Sequence, residues 1–253
     1  MAITTFAQAM EGAYYGYKLG KDILDDFRRS SKLPLGKDIY VTFVLVTIFK
    51  ERSWPKFKEV EDEVIKVLHK YNFNKSKGTL TLDISGRKVE CAVEYQIKTN
   101  FLLPFDESIF PISGEDYEDL AEEIYDLAIA TDLTVFIIPD LRKLSKEESK
   151  RVMRDILSIL ENLKSKLQEK FVVKKSIIRL KLQFEDEKTA KEVYTKLKEV
   201  ISSKNIATLA HISEPTRTME TVEINIRNAD AGVIEALFSI KFRRFPLWGK
   251  VAK

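Results

Sequence analysis

Cysteine occurs once in this chain of 253 residues, at Cys91, and histidine twice, at His69 and His211. A single cysteine excludes an internal disulfide framework and fits a reducing compartment, so a cytoplasmic location is expected. Neither histidine stands in a ligand motif, and no EF-hand spacing occurs among the carboxylates, so no metal site is expected. His69 reads as a solvated or capping residue late in a basic helix. His211 reads as a packed strand residue, and Cys91 as core. Phosphate-cradling glycine loops are missing too: there is no GxxxxGK[ST] and no GxGxxG, and no cofactor is implied. No apolar run approaches the roughly 20 residues of a membrane helix. The longest, VTFVLVTIF at 41–49, is β-branched and reads as a buried strand. The N-terminus has no compact apolar core of the signal-peptide kind.

What the chain has in abundance is charge. Lys and Glu are frequent while Gln and Cys are scarce, a profile associated with hyperthermophiles. The net charge of +3 conceals two opposed halves. Residues 1–140 hold 17 Lys/Arg against 24 Asp/Glu, a balance of −7; residues 141–253 hold 25 against 15, a balance of +10. No basic residue lies between Lys98 and Arg142, and 106–126 alone carries nine acids. Two explanations follow: the halves meet each other, within one chain or head to tail, or the basic half faces an acidic partner such as nucleic acid.

Periodicity gives the elements. A strand is expected at 39–50. A helix follows, with Pro55 in its first turn and Phe57, Val60, Val64, Leu68 and Tyr71 on one face. Leu80, Leu82 and Ile84 alternate with polar residues up to Ser85-Gly86. Val89, Cys91, Val93, Tyr95 and Ile97 resume the alternation, which is a hairpin. Ser113 caps a helix carrying Tyr117, Leu120, Ile124 and Leu127, and LTVFII at 133–138 is a buried strand. Ser145 and Glu148 form a capping box for a long helix with a seam of Val152, Ile156, Leu160, Leu163 and Leu167. A strand at 177–184, a helix at 187–203, strands at 206–212 and 220–227 and a last helix behind Asn228 complete the chain.

The order β-α-β-β-α thus occurs twice. The expected fold class is α+β: two ferredoxin-like β-α-β-β-α modules joined by a long helix and preceded by a glycine-striped N-terminal helix. The expected boundaries are 1–36 for a docking or oligomerisation helix and 37–140 for an acidic module. A connecting helix takes 141–172, and a basic module with a basic-aromatic tail takes 173–253.

Two segments stand out as candidate sites. Gly12, Gly16 and Gly20 form one row if the segment is helical, with Tyr17 beside them. Each glycine in a helix costs about 0.5–1 kcal/mol relative to Ala, which points to close approach by another backbone and an interaction role. At the other end, Lys241, Arg243, Arg244, Lys250 and Lys253 interleave with Phe242, Phe245 and Trp248. Cations for phosphates beside rings for bases suit single-stranded RNA. The outward positions of the second module, Arg179, Lys181, Glu223, Asn225 and Arg227, form a polar face without rings, which argues against base reading of the RRM kind.

LKLQFEDEKTAKEVYTKL, followed by a hairpin and VEINIRNADAGVIEALFSIKFRRF, resembles the small dimerising subunit of the KEOPS complex, which supports threonylcarbamoylation of tRNA. The resemblance covers the last third of the chain and implies a non-catalytic, self-associating, tRNA-linked role. Glu235-Ala236 stands where that family tends to carry arginine and alanine, so no functional residue is carried over. The duplicated pattern is also similar to tandem ferredoxin-like CRISPR endoribonucleases, whose C-terminal glycine-rich loop this chain lacks. The expected function is therefore a non-catalytic assembly subunit that docks to itself or a protein partner and contacts RNA through its basic half. The alternatives are a purely structural protein assembling through its opposed charges, and a metal-independent endoribonuclease using His69, His211, a tyrosine or a lysine.

Overall fold

The computed structural model describes residues 26–101, 128–218 and 220–242. The glycine row and Tyr17, the acidic block with its expected helix, and the tail from Arg243 onward lie outside the described residues.

The elements are β1 (Ile39–Phe49), α1 (Phe57–His69), β2 (Thr79–Ile84), β3 (Arg87–Phe101), β4 (Ala128–Pro139), α2 (Lys146–Lys170), β5 (Val173–Phe184), α3 (Glu187–Ser203), β6 (His211–Ile212), β7 (Thr216–Thr218), β8 (Thr221–Arg227) and α4 (Ala231–Ser239). The strands form one eight-stranded antiparallel sheet in the order β2-β3-β4-β1-β5-β8-β6, with β7 also on β8. β1 bonds to β4 along one edge and β5 along the other, so both halves of the sequence share the sheet.

The second half has the split β-α-β order: α3 joins β5 to β6, and β8 lies between them. The first half does not repeat it. A ferredoxin-like module would set β3 against β1, but β4 occupies that place, and β2-β3-β4 is a meander. β4 is apolar at successive positions and is flanked by strands on both sides, as a central strand requires. The expected pair of like modules is thus replaced by two different orders on one sheet.

One face of the sheet carries the core. Ile39, Val41, Phe43, Leu45 and Phe49 of β1 are buried, and so are Leu180, Leu182 and Phe184 of β5 and Ile224 and Ile226 of β8. They form one cluster with the apolar stripes of α1, α2, α3 and α4. α2 is no spacer. Its capping box forms as expected, Glu148 N–H donating to Ser145 Oγ at 3.2 Å and Ser145 N–H to Glu148 Oε2 at 2.7 Å. Met153, Leu157 and Ile159 are buried with the expected seam, so the stripe is wide enough to pack on α1, α4 and the sheet together. At roughly 1.5–3 kcal/mol for each large apolar side chain fully buried, this helix is a principal source of stability.

Local differences have local causes. Pro55 precedes α1 instead of opening it, because its carbonyl accepts from Ala130 N–H at 2.9 Å and holds the chain extended. The β2–β3 turn takes positive φ at both Ser85 (56°) and Gly86 (82°), the twist that suits a two-residue hairpin. The expected strand at 206–212 shrinks to two residues, because Asp230 draws the preceding loop away. Its carboxylate accepts from Thr208 Oγ1 and Leu209 N–H while also capping α4 through Val233 N–H at 3.1 Å. Asp230, not Asn228, is therefore the cap. A Cβ on Gly232 would lie 2.9 Å from the Ala207 carbonyl, so the loop meets the helix backbone to backbone.

Candidate nucleic-acid interface

The other face of the sheet is not the one on which α1 to α4 pack, and part of it is covered: Ile138, Ala92, Thr42 and Val44 on this face are all buried. Its residues are the alternate positions of the same strands, and register places them in rows. One row runs Glu94, Phe136, Val44, Arg179, Arg227 and His211 across β3, β4, β1, β5, β8 and β6. A second sets Thr42 beside Lys181 and Asn225, and a third sets Tyr40 beside Gln183, Glu223 and Thr216. Along β5, Lys175, Arg179 and Lys181 share this face because strand side chains alternate.

The charges here are unevenly paired. Glu223 is only 5% exposed yet charged, and it is satisfied twice. Lys181 Nζ lies 2.8 Å from its Oε2, and Gln183 Nε2 donates to its Oε1 at 2.9 Å. Arg179 and Arg227 stand directly opposite each other on adjacent strands, and neither forms an ion pair among the described residues. Arg179 Nε is buried and has no hydrogen-bond partner there. Like charges directly across a strand pair are destabilising, so this pair is held in place by the fold against its own repulsion. His211 is exposed, not packed as expected, because β6 is a two-residue edge strand with nothing described beyond it.

The face also has rings, which the sequence pattern hides. Phe136 is half-buried in the arginine row, two strands from Arg179, and Tyr40 lies two rows away. In LTVFII every position is apolar, so alternation gives no sign of which side chains turn away from the core. Tyr40 is engaged locally, its hydroxyl donating to Glu185 Oε1 at 3.2 Å.

The tail site divides at the edge of the described region. Lys241 is exposed, and its carbonyl accepts from Lys196 Nζ of α3 at 2.7 Å. The Phe242 ring lies under Lys196 at 5.0 Å and Lys37 at 5.8 Å. The first ring of the tail is thus docked in the helix layer, on the side of the sheet away from the arginine row. Arg243, Arg244, Phe245, Trp248 and Lys250 lie outside the described residues.

Other candidates are structural in their contacts. A shallow depression of about 410 Å³ between the 32–38 loop and the start of α3 contains Lys32, Lys37 and Asp186. Lys32 pairs with Asp38, Lys37 with Glu192 at 3.4 Å, and Asp186 caps α3 by accepting from Thr189 N–H at 2.7 Å. Cys91 is fully buried, and that burial pushes its thiol pKa well up. His69 is exposed beside the Phe73 ring, over the opposite half of the sheet from His211. Among the described residues no three His, Cys, Asp or Glu side chains gather as a metal site. None of the described helices is long and apolar enough to cross a membrane. Glu235 pairs with Lys150 at 2.7 Å and with Arg154, fastening α4 to α2; an arginine there would face two cations.

The opposed halves meet at Lys170 and Glu63, 3.1 Å apart. Arg142–Asp140, two residues apart at 2.6 Å, runs in the same sense, whereas Arg87–Glu148 and Lys37–Glu192 run in the reverse sense, cation from the acidic half. Among the described residues, general charge matching between the halves is not what joins them.

Comparison with known proteins adds little. No family model and no curated protein matches the chain. Among solved structures it is similar to aspartate kinase from Clostridium acetobutylicum, at 10% identity over 82% of this chain and 35% of that one, with a TM-score of 0.22. It is also similar to the regulatory subunits of aspartate kinase from Thermus thermophilus (10% identity, 79% and 93% covered, TM-score 0.21) and Thermus flavus (12%, 79% and 94%, 0.20).

Proposed function

We propose that this protein is a non-catalytic subunit that contacts RNA through its basic C-terminal half. The observation that carries the reading is the Arg179–Arg227 pair. Two arginines stand opposite each other on adjacent strands, Arg227 exposed and Arg179 half-buried, without an acid to neutralise them among the described residues. A phosphodiester bridging them removes the repulsion and supplies acceptors to both. Lys175 extends the positive strip along β5, and Lys241, Arg243, Arg244 and Lys250 supply further cations on the tail. Assembly with a partner or a second copy, through the segment holding Gly12, Gly16, Gly20 and Tyr17, belongs to the same proposal.

The test is binding of labelled RNA across a salt series. The intact chain is compared with Arg179→Glu/Arg227→Glu and with Arg243→Glu/Arg244→Glu/Lys250→Glu. Binding that falls steeply with salt and collapses in the first variant supports the sheet-face contact. Loss in the second as well adds the tail. No binding to the intact chain at low salt sinks the reading and leaves the basic half as a protein-docking surface.

A further inference from the structure

We propose that the arginine row takes single-stranded rather than duplex nucleic acid, lying across the strands with phosphates on Arg179 and Arg227 and a base against Phe136. This rests on the RNA-contacting reading above and adds the form and direction of the ligand.

Three features of the row carry it. First, its chemistry changes in order: cations at Arg179 and Arg227, then buried Val44 and the half-buried Phe136 ring, then the Glu94 carboxylate. Phosphate is attracted at one end and repelled at the other, with a ring between. Glu94 is held by Gln96 Nε2, which donates to its Oε1 at 2.7 Å, and the carboxylate is an acceptor for base amino groups. Second, the spacing fits an exposed nucleotide. Adjacent strands lie about 4.8 Å apart, so Phe136 and Arg179 are separated by about 10 Å, within the span of a base and its neighbouring phosphates. Third, the ring is recessed: Phe136 is half-buried beside buried Val44, so only a base that has left its stack can reach it. A major groove about 12 Å wide admits a helix or a two-stranded ribbon, and the A-form groove of RNA is narrower. A sheet face many strands across meets only the phosphate rim of a duplex, and Phe136 is left without a base. A single strand offers phosphates and unstacked bases together.

The experiment measures fluorescence anisotropy of one RNA sequence as a single strand and as a duplex, with the intact chain, Phe136→Leu, Phe136→Tyr and Arg179→Ala/Arg227→Ala. The single strand is expected to bind at least about tenfold more tightly than the duplex. Phe136→Leu is expected to weaken single-strand binding by about 5- to 100-fold without changing its salt slope, while duplex binding stays unchanged. Phe136→Tyr retains a stacking ring and keeps the affinity, which separates lost stacking from lost folding. Equal affinity for the two forms, or a Phe136→Leu variant that binds as the parent does, overturns the single-strand proposal and leaves the RNA reading standing. Absence of binding to both forms overturns both.

Discussion

Phe43 and Val44 are neighbours in the chain and face opposite sides of the same sheet. Phe43 is fully buried among residues of the helix layer, while Val44, at 7% exposure, lies outside that cluster in a row with Phe136 and Arg179. On the helix side the strands contribute mostly apolar groups, and the buried Thr47 Oγ1 is paired with Ser176 Oγ at 2.8 Å. On the other side, apolar, cationic and anionic groups stand in sequence and two arginines are left opposed. One face is arranged for stability. The other departs from it at the positions where an anion would be bound.

The largest way to break the comparison is on the helix side. Phe43→Ala is expected to lower unfolding free energy by about 3–5 kcal/mol through transfer and cavity terms, read by chemical denaturation. Val44→Ala, one residue on, is expected to cost about 1–2 kcal/mol. Equal losses would mean that the two sides are packed alike.

Arg227→Glu sharpens the contrast, because its two effects have opposite signs. An acid opposite Arg179 turns repulsion into attraction, so stability is expected to rise by about 0.2–1 kcal/mol while RNA binding is lost. Stability and binding falling together would indicate that Arg227 is a structural residue. Glu223→Gln keeps an acceptor for Gln183 but releases Lys181. RNA binding is expected to tighten, with a salt slope steeper by about 0.7, the increment for one more phosphate contact to a single strand.

The smallest effect is on acid stability. Hydrogen bonds from Thr189, side chain and backbone, hold the Asp186 carboxyl below the usual carboxylate range. Its contribution is therefore present above the ordinary aspartate value and is lost as pH falls through the depressed folded value. Asp186→Asn retains a capping oxygen but does not titrate, so its acid-unfolding limb is expected to be shallower. An unchanged limb would remove the cap from the account.

Local features were readable from residues a few positions apart. Ser145 and Glu148 gave the start of α2, Ser85-Gly86 gave the hairpin, and the alternation in β5 and β8 gave their core faces. The strand order was not readable. Whether β3 or β4 lies against β1 depends on pairing between segments about 40 to 90 residues apart, and the apolar periodicity is the same for either. The cap at Asp230 was missed because its second task, holding Thr208 and Leu209, belongs to a loop some 20 residues earlier. For the candidate site, alternation identified Arg179 and Arg227 as outward, but not that they face one another. Phe136 and His211 entered the same row only through the register of three further strand pairings.

The central claim is that the opposed arginines hold phosphate. The most direct measurement is the slope of log binding constant against log salt for single-stranded RNA, in the intact chain and in Arg179→Ala/Arg227→Ala. The account predicts that the variant's slope is shallower by about 1.4, two phosphate contacts at about 0.7 each. An unchanged slope, with affinity intact, would contradict it.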